Sequence, residues 1–425
     1  MKDAFVTLRT LCLFVAVCIY NMCISRIHYF NPGHETAVLS GKVNYTPTRQ
    51  VQIMFRDLAC LPLWYAKPHD LVWVEDLPQT EAYVSVLRSL FPQLPSVIST
   101  ESFRYLSESI EYEATPWGLS PQSLHHFKKL LQSGKHKLVI PEWLDEYKQL
   151  TGRQTARKVL ERLRELLPEM ILPDLPMFCR SVEEIETYMQ TNQPPFILKT
   201  PFSSSGRGLQ WLYSSELMEK DRQWIEGAVR KQGEISIELA LDKQQDWAME
   251  FESNGKGTVT YRGLSVFGTA ERGAYSGNIL GSESFRESFI LAHLSSSTFI
   301  QVKKALEIVL SEIYGYLYTG CIGVDMLLYC QPDSLLWNIH PCVEINMRQT
   351  MGMVAVQLSE QFLEANHTGW FVVDYEALPG EVQNKDKDMR QKYPLVVTDG
   401  KIQSGYLSLC PISSDTHYWA YIIIT

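Results

Sequence analysis

The sequence predicts a mixed α/β protein: an open parallel sheet with helices at its N-terminal end, followed by α+β units built on antiparallel strands. Three observations lead there. Short apolar runs beginning at Ile27 alternate with helical stretches, the pattern of a parallel sheet. Further along, apolar strands are joined by short polar connections, as antiparallel neighbours are. The 425 residues are 45% hydrophobic and 20% charged, enough for two or three domains with substantial cores.

Residues 1–21 form a separate segment. Lys2 and Arg9 precede the apolar run Leu11–Tyr20, which resembles a signal peptide but is too short for a comfortable membrane span. No small-residue cleavage site follows, and Cys23 lacks the small residues that precede a lipoprotein cysteine. Translation is therefore expected to start at Met22, with residues 1–21 arising from a misassigned start codon. N-terminal mass analysis of protein made from the native message checks this.

Residues 22–118 read as an α/β domain, with strand IHYF from Ile27 and later strands around Leu71–Val74 and Pro95–Ile98. Open parallel sheets bind ligands just past the carboxyl ends of their strands. Asn31, Gly33, His34 and Glu35, in the turn NPGHE, are accordingly candidate substrate residues, although a turn with a helix N-cap explains the same residues. Residues 119–176 are expected to be a helical linker: Ser120–Leu167 carries apolar residues at three and four spacing, and the proline-rich LLPEMILPDLP ends it. Residues 177–261 are expected to form one unit and 262–382 a second. The latter holds an amphipathic helix, Phe299–Leu317, with a core stripe of Val302, Leu306, Val309, Ile313 and Leu317. Another helix follows Gly352. The tail, 383–425, opens with charged KDKDMRQK and ends in strand-like YWAYIIIT; it carries no recognisable motif.

Chemistry concentrates in three places. In HPCVEINMRQTMG, from His340 to Gly352, Glu344, Asn346 and Arg348 recur at period two, so they share one face of a strand while Val343, Ile345 and Met347 share the other. Such groups are costly to desolvate without partners. The oxygens of Glu344 and Asn346 suit a hard cation such as Mg²⁺, and Arg348 suits a phosphate or carboxylate. In GCIGVDMLLY, Asp325 is the lone acid of an apolar strand. The polar, proline-containing link between the two segments reads as a hairpin, which would bring Asp325 to the Glu344/Asn346 pair. In PPFILKTPFSSSGRGLQWL, a short strand ends in Lys199 and leads into Ser203, Ser204, Ser205, Gly206, Arg207 and Gly208. Glycines let amide groups approach an anion, and the lysine adds a point charge. The lysine precedes the glycines, so this is not a Walker A loop.

These segments, in this order, resemble the ATP-grasp superfamily, which includes D-alanine–D-alanine ligase, glutathione synthetase and biotin carboxylase-type enzymes. The resemblance spans about Arg153 to Gly352. It implies an ATP-grasp fold with an N-terminal Rossmann-like pre-ATP-grasp domain, a lid over 177–261 and a core over 262–382. It also implies ATP and Mg²⁺, with Mn²⁺ as a substitute. Lys199 would contact the α/β phosphates, the SSSGRG loop would fold over the triphosphate, and Asp325, Glu344 and Asn346 would hold magnesium. Arg348 matches the arginine after E-x-N in the carboxylase-like members. Within GEISIELALDKQQDWAMEF, Glu238 and Leu239 take the adenine hinge and Asp246 the ribose position. For an earlier phosphate-contacting base, Arg153, Arg157 and Lys158 are all candidates. Arg262, Arg272, Tyr275 and Asn278 precede the metal site and are candidate substrate residues.

The implied reaction is ligation: a carboxylate becomes an acyl phosphate, and an amine or similar nucleophile displaces the phosphate. A kinase acting on a hydroxyl, or a catalytically silent nucleotide-binding protein, would use the same nucleotide residues. The net charge of −9, without a basic block, argues against nucleic acid as the main partner. Nine scattered cysteines without C-x-x-C spacing read as free thiols, consistent with a cytoplasmic chain that takes small-molecule partners and needs no membrane. Composition leaves oligomeric state open.

Overall fold

A computed structural model describes residues 24–203, 208–269, 275–330 and 336–425; the signal-like segment falls outside them. The N-terminal unit is a five-stranded parallel sheet in the order Ser96–Ile98, Leu71–Trp73, Ser25–Tyr29, Glu111–Pro116, Lys137–Val139. Its central strand, SRIHY, is buried along most of its length: Ile27 and Tyr29 enter the core, while the polar Ser25 and His28 bond to the His69 carbonyl and the Asp70 carboxyl. Chain order reverses between this strand and Glu111–Pro116. A crevice opens there at the carboxyl edge, the usual ligand position in such sheets. Gly33 turns the chain out of the first strand with φ at +75°, a conformation glycine adopts without a Cβ penalty.

The stretch expected to be helical over 119–176 is interrupted by the strand Lys137–Val139, which pairs with Glu111–Glu113 and so joins the first sheet. Periodicity missed it because only three residues take part. The helix Arg153–Leu166 follows, with Val159, Leu160 and Leu163 buried and its basic residues Arg157 and Lys158 exposed.

A second, four-stranded antiparallel sheet runs Met177–Cys179, Ile235–Leu239, Phe196–Lys199, Leu209–Leu212. Helices Val182–Thr191 and Glu219–Gln232 close one face over Ile185, Phe196, Leu198, Ile225 and Ile237. The expected lid segment, 177–261, is thus divided. Its part up to Leu239 builds this small sheet, whereas Asp242–Asn254 and the start of Val259–Thr269 enter the next one.

That third sheet has nine strands. From one edge to the other they are Trp337–Asn346, Thr319–Cys330, Asp242–Asn254, Val259–Thr269, Tyr275–Leu280, Gly369–Tyr375, Tyr418–Ile424, Lys401–Ser408 and Val396–Thr398. The hairpin expected between the Asp325 and Glu344 strands is present, with residues 331–335 of its turn outside the described set. Helix Ser296–Tyr314 buries Val302, Leu306 and Val309 in a core shared with helix Arg153–Leu166 and the sheet. Leu317, expected in that stripe, lies past the helix end and is 40% exposed. The tail completes the sheet. Ile402, Leu407 and Ile422 share a core with Trp64 and Phe91 of the N-terminal unit, with Val354 of helix Met351–Gln361 and with Phe362, which caps that helix. Trp64 Nε1 donates to the Leu409 carbonyl at 2.7 Å, tying tail to N-terminal unit.

Among the described residues, no helix is long and apolar enough to cross a membrane. Cys60, Cys179, Cys321, Cys330, Cys342 and Cys410 are free thiols.

Candidate active site

A cavity of about 1320 Å³ lies where the small sheet, the large sheet and the carboxyl edge of the parallel sheet meet. Lys199, Glu238, Asp246, Asp325, Glu344, Asn346 and Arg348 all line it. Segments separated by more than a hundred residues therefore converge as the three motifs predict.

Asp325 and Glu344 are direct partners in the antiparallel register, so their side chains leave the sheet side by side. Asn346 Nδ2 donates to Asp325 Oδ2 at 3.1 Å, and Arg153 Nη2 donates to Glu344 Oε2 at 3.0 Å. Burial, reinforced by the neighbouring Glu344 charge, pushes the Asp325 carboxyl up to about 7. Two carboxylates so placed repel each other, and a divalent cation would relieve both. Among the described residues, no group of three or more His, Cys, Asp or Glu side chains is arranged to hold a metal. The set of two carboxylates and one amide instead fits Mg²⁺, which keeps waters and takes further ligands from phosphate.

Lys199 ends its strand, buried, and forms an ion pair with Glu238 on the neighbouring strand. Burial pushes Glu238 up, but the Lys199 ammonium outweighs it and the carboxyl lies below its ordinary range. His340, also on the cavity wall, is lowered to about 4 by burial. Of the three basic candidates on the linker helix, Arg153 is the one that lines this cavity. It begins the helix, lines the cavity, and donates to the Thr200 carbonyl at 3.1 Å and to Ser203 Oγ at 3.3 Å as well as to Glu344. Ser203 and Gly208 frame the loop; Ser204, Ser205, Gly206 and Arg207 lie outside the described residues. Leu239 lines the cavity, and Asp246, on the next strand, accepts from Lys243 Nζ at 2.5 Å.

Arg348 sits just beyond the strand. Its Nη2 donates to Asn346 Oδ1 at 2.9 Å and its Nε to Glu35 Oε1 at 2.5 Å, a contact 313 residues apart in sequence. Burial opposes ionisation of Glu35, yet the Arg348 guanidinium holds it well below the usual carboxylate range.

The weaker substrate candidates divide. Tyr275 and Asn278 line the cavity and bond each other through the Tyr275 hydroxyl and Asn278 Oδ1. Arg262 does not: it lies on the exposed surface, pairing with Glu252 at 3.3 Å. Arg272 lies outside the described residues. From the turn NPGHE it is Gly33 and Glu35 that reach the cavity, whereas Asn31 and His34 do not line it. Asn31 clamps the backbone instead, donating to the Gly118 carbonyl at 2.8 Å and accepting from the Gly118 N–H at 3.1 Å. His34 is buried beneath Gly118, where any Cβ would strike its ring.

Sequence reasoning missed Glu250, Ser265, Thr350, Trp117, Tyr375 and Tyr418, all on the cavity wall. A signal existed for Glu250, because it continues the period-two series from Asp246 through Ala248 on one strand face. Within WAMEF it is the one acid, with Asp246 and Glu252 flanking the run. Burial, with the charge of Asp325 adding to it, pushes its carboxyl up to about 8.

No family model and no curated protein matches the chain. Solved structures do. Biotin carboxylase from Campylobacter jejuni, as a β,γ-ATP complex, matches 95% of this chain and 88% of its own at 12% identity, with a TM-score of 0.51. The biotin carboxylase domain of Hydrogenobacter thermophilus 2-oxoglutarate carboxylase, with MgADP, ADP and bicarbonate, matches 94% of this chain and 86% of its own at 12% identity, again at 0.51. N5-carboxyaminoimidazole synthetase from Staphylococcus aureus, complexed with ADP, matches 96% and 95% at 13% identity, with a TM-score of 0.48. With three sheets meeting at one cavity and likeness to biotin carboxylase over nearly its whole length, the chain has the ATP-grasp fold.

Proposed function

We propose that the protein is an ATP- and Mg²⁺-dependent ligase that activates a carboxylate as an acyl phosphate and joins it to an amine or similar nucleophile. The observation that carries this reading is the convergence of Asp325, Glu344, Asn346, Arg348 and Lys199 on one cavity. The ATP and MgADP complexes of the two biotin carboxylases with the same fold support the nucleotide and the metal.

Lys199 and Arg153 place fixed positive charge where the triphosphate would lie, beneath the loop framed by Ser203 and Gly208. Glu238 and Leu239 face the adenine, and Asp246 the ribose hydroxyls. Asp325, Glu344 and Asn346 would hold Mg²⁺, whose contribution is to neutralise charge on the phosphate oxygens. Arg348, held by Glu35 and Asn346, is positioned to neutralise the acyl phosphate. In the first step a carboxylate oxygen bonds to the γ-phosphorus and ADP leaves. In the second the nucleophile bonds to the acyl carbon, inorganic phosphate leaves, and the nucleophile gives up a proton. Little covalent chemistry falls to the protein, since positioning and electrostatics supply most of the acceleration in phosphoryl transfer.

The test is phosphate release by purified protein with MgATP, screened against pools of carboxylic acids, amines and hydroxy compounds. The expected result is release only when an acid and a nucleophile are both present. ADP formation with a hydroxy compound, leaving the phosphate on that compound, would instead establish a kinase. Failure to bind or turn over MgATP under any combination would overturn the nucleotide reading altogether.

A further inference from the structure

The cavity contains an acid that the nucleotide machinery does not use. Glu250 is 1% exposed, lines the cavity, and forms no ion pair among the described residues. Its hydrogen bond comes from Thr350, whose hydroxyl donates to Oε2 at 2.8 Å. That same hydroxyl accepts the Met353 N–H at 2.9 Å, which directs its proton toward the carboxyl and holds Oε2 in place. Oε1 faces Gly352 and Ser265: a Cβ built on Gly352 would collide with it, and one on Gly323 would lie 3.0 Å from Oε2. Two glycines thus leave room for a carboxyl that is anchored through one oxygen. A buried acid without a cation is costly, and a cationic or amino ligand removes the cost.

Its place in the sheet is equally specific. Glu250 stands opposite Gly323, two residues from Asp325 on the neighbouring strand. Such diagonal neighbours lie about 7–8 Å apart, which sets Glu250 beside the metal-binding row rather than within it. Ser265 Oγ, which accepts from Asn278 Nδ2 at 2.5 Å, supplies a second polar atom on the same wall. The cavity beyond is aromatic and apolar: Phe30 packs on Trp117 at 5.0 Å between ring centroids, Tyr375 on Tyr418 at 4.9 Å, and Met54 lies alongside.

The geometry points to Glu250 as the subsite for the nucleophile's amino group, with the aromatic end of the cavity holding an apolar substituent, so that the acceptor is an amine with an apolar or aromatic tail. This inference rests on the ligase reading of the same cavity. An ammonium donating to Oε1 would pass one proton to the Glu250 carboxylate, and the amine lone pair so freed would form the bond to the acyl carbon as phosphate leaves.

Calorimetric titration of the full chain at about pH 9, where the Glu250 carboxyl is ionised and a primary amine still largely charged, with phenethylamine and with phenethyl alcohol, each with and without MgADP, tests it. The amine is expected to bind roughly 10- to 100-fold tighter than the alcohol, as a charge-assisted hydrogen bond at a buried carboxyl provides. Glu250→Gln should erase that preference while leaving alcohol affinity unchanged. Equal affinities in the native protein, or a preference retained by a folded Glu250→Gln variant, would overturn the subsite. The native comparison stands even where the variant does not fold. MgADP binding without an amine preference would defeat the subsite alone, whereas an amine preference without MgADP binding would defeat the nucleotide reading and leave the subsite standing.

Discussion

The two ends of the cavity are built on opposite electrostatic principles. At the end proposed for the nucleotide three acids stand against cations, Glu238 with Lys199, Glu344 with Arg153 and Asp246 with Lys243, while Asp325 is held by the Asn346 amide. At the acceptor end Glu250 has a hydroxyl and two glycines about it, and the walls are aromatic. A set of mutually paired charges is suited to a ligand that carries both many negative charges and a metal, since each pair can exchange partners without leaving a buried charge alone. A lone buried acid among aromatic rings is suited to one polar group on an apolar body. On the proposed reading, the difference separates residues that would handle phosphate from residues that would select the nucleophile.

The harshest way to break the nucleotide end is Glu344→Gln. It removes one of the paired carboxylates and releases Arg153, and Mg²⁺-dependent ATP turnover is expected to fall about 100- to 1000-fold. Turnover within a few-fold of the native rate would place the metal elsewhere. Lys199→Met probes the pairing itself. Leaving Glu238 buried without its cation should destabilise the fold by about 3 kcal/mol, and adding Glu238→Gln should recover most of that loss. Urea unfolding of the two single variants and the double variant measures the coupling, and simple additivity would show that the pair contributes nothing.

Glu250 allows a comparison by pH. Its folded carboxyl lies at about 8 and its ordinary value is 4.5, so between those values the folded chain keeps a proton that the unfolded chain has lost. Raising the pH then favours unfolding. Native stability should fall through this window, relative to Glu250→Gln, by up to about 1.4 kcal/mol per pH unit. Parallel pH profiles of the two proteins would refute the assignment. The smallest expected effect sharpens the boundary of the site: Arg262→Ala, on the exposed surface, should change stability by less than about 0.5 kcal/mol and leave turnover unaltered.

The side-chain arrangement at the end proposed for the nucleotide was largely legible in the sequence, and that of the other end was not. Asp325 and the Glu344/Asn346/Arg348 series each occupy one strand, where period-two spacing states which side chains share a face, and a short polar link states that the strands are neighbours. Lys199 and its glycine-containing loop are likewise contiguous. The acceptor end draws on the turn after the first strand, the end of the fourth strand, helix Arg49–Asp57, the strand Gly369–Tyr375 and the tail. No local periodicity links these. In the turn NPGHE the residue types suggested ligands, but Asn31 and His34 enter the packing at the sheet's carboxyl edge and Glu35 turns toward Arg348. The tail's contribution was equally hidden, because which strand lies beside Gly369–Tyr375 is a matter of pairing partners rather than of the alternation in YWAYIIIT.

The order of chemical segments, the face on which each acid stands and the mixed α/β class were therefore determined by the chain's own local pattern, since backbone geometry converts spacing directly into direction. Only the tertiary structure decided that Arg153 rather than Arg157 lines the cavity, that Glu35 locks Arg348, and that Glu250 lies beside Gly352 with, among the described residues, no ion pair. Those outcomes depend on which distant segments approach one another. That approach is set by the burial of whole faces, such as the shared core of tail, helix Met351–Gln361 and N-terminal unit, and no short stretch of sequence contains it.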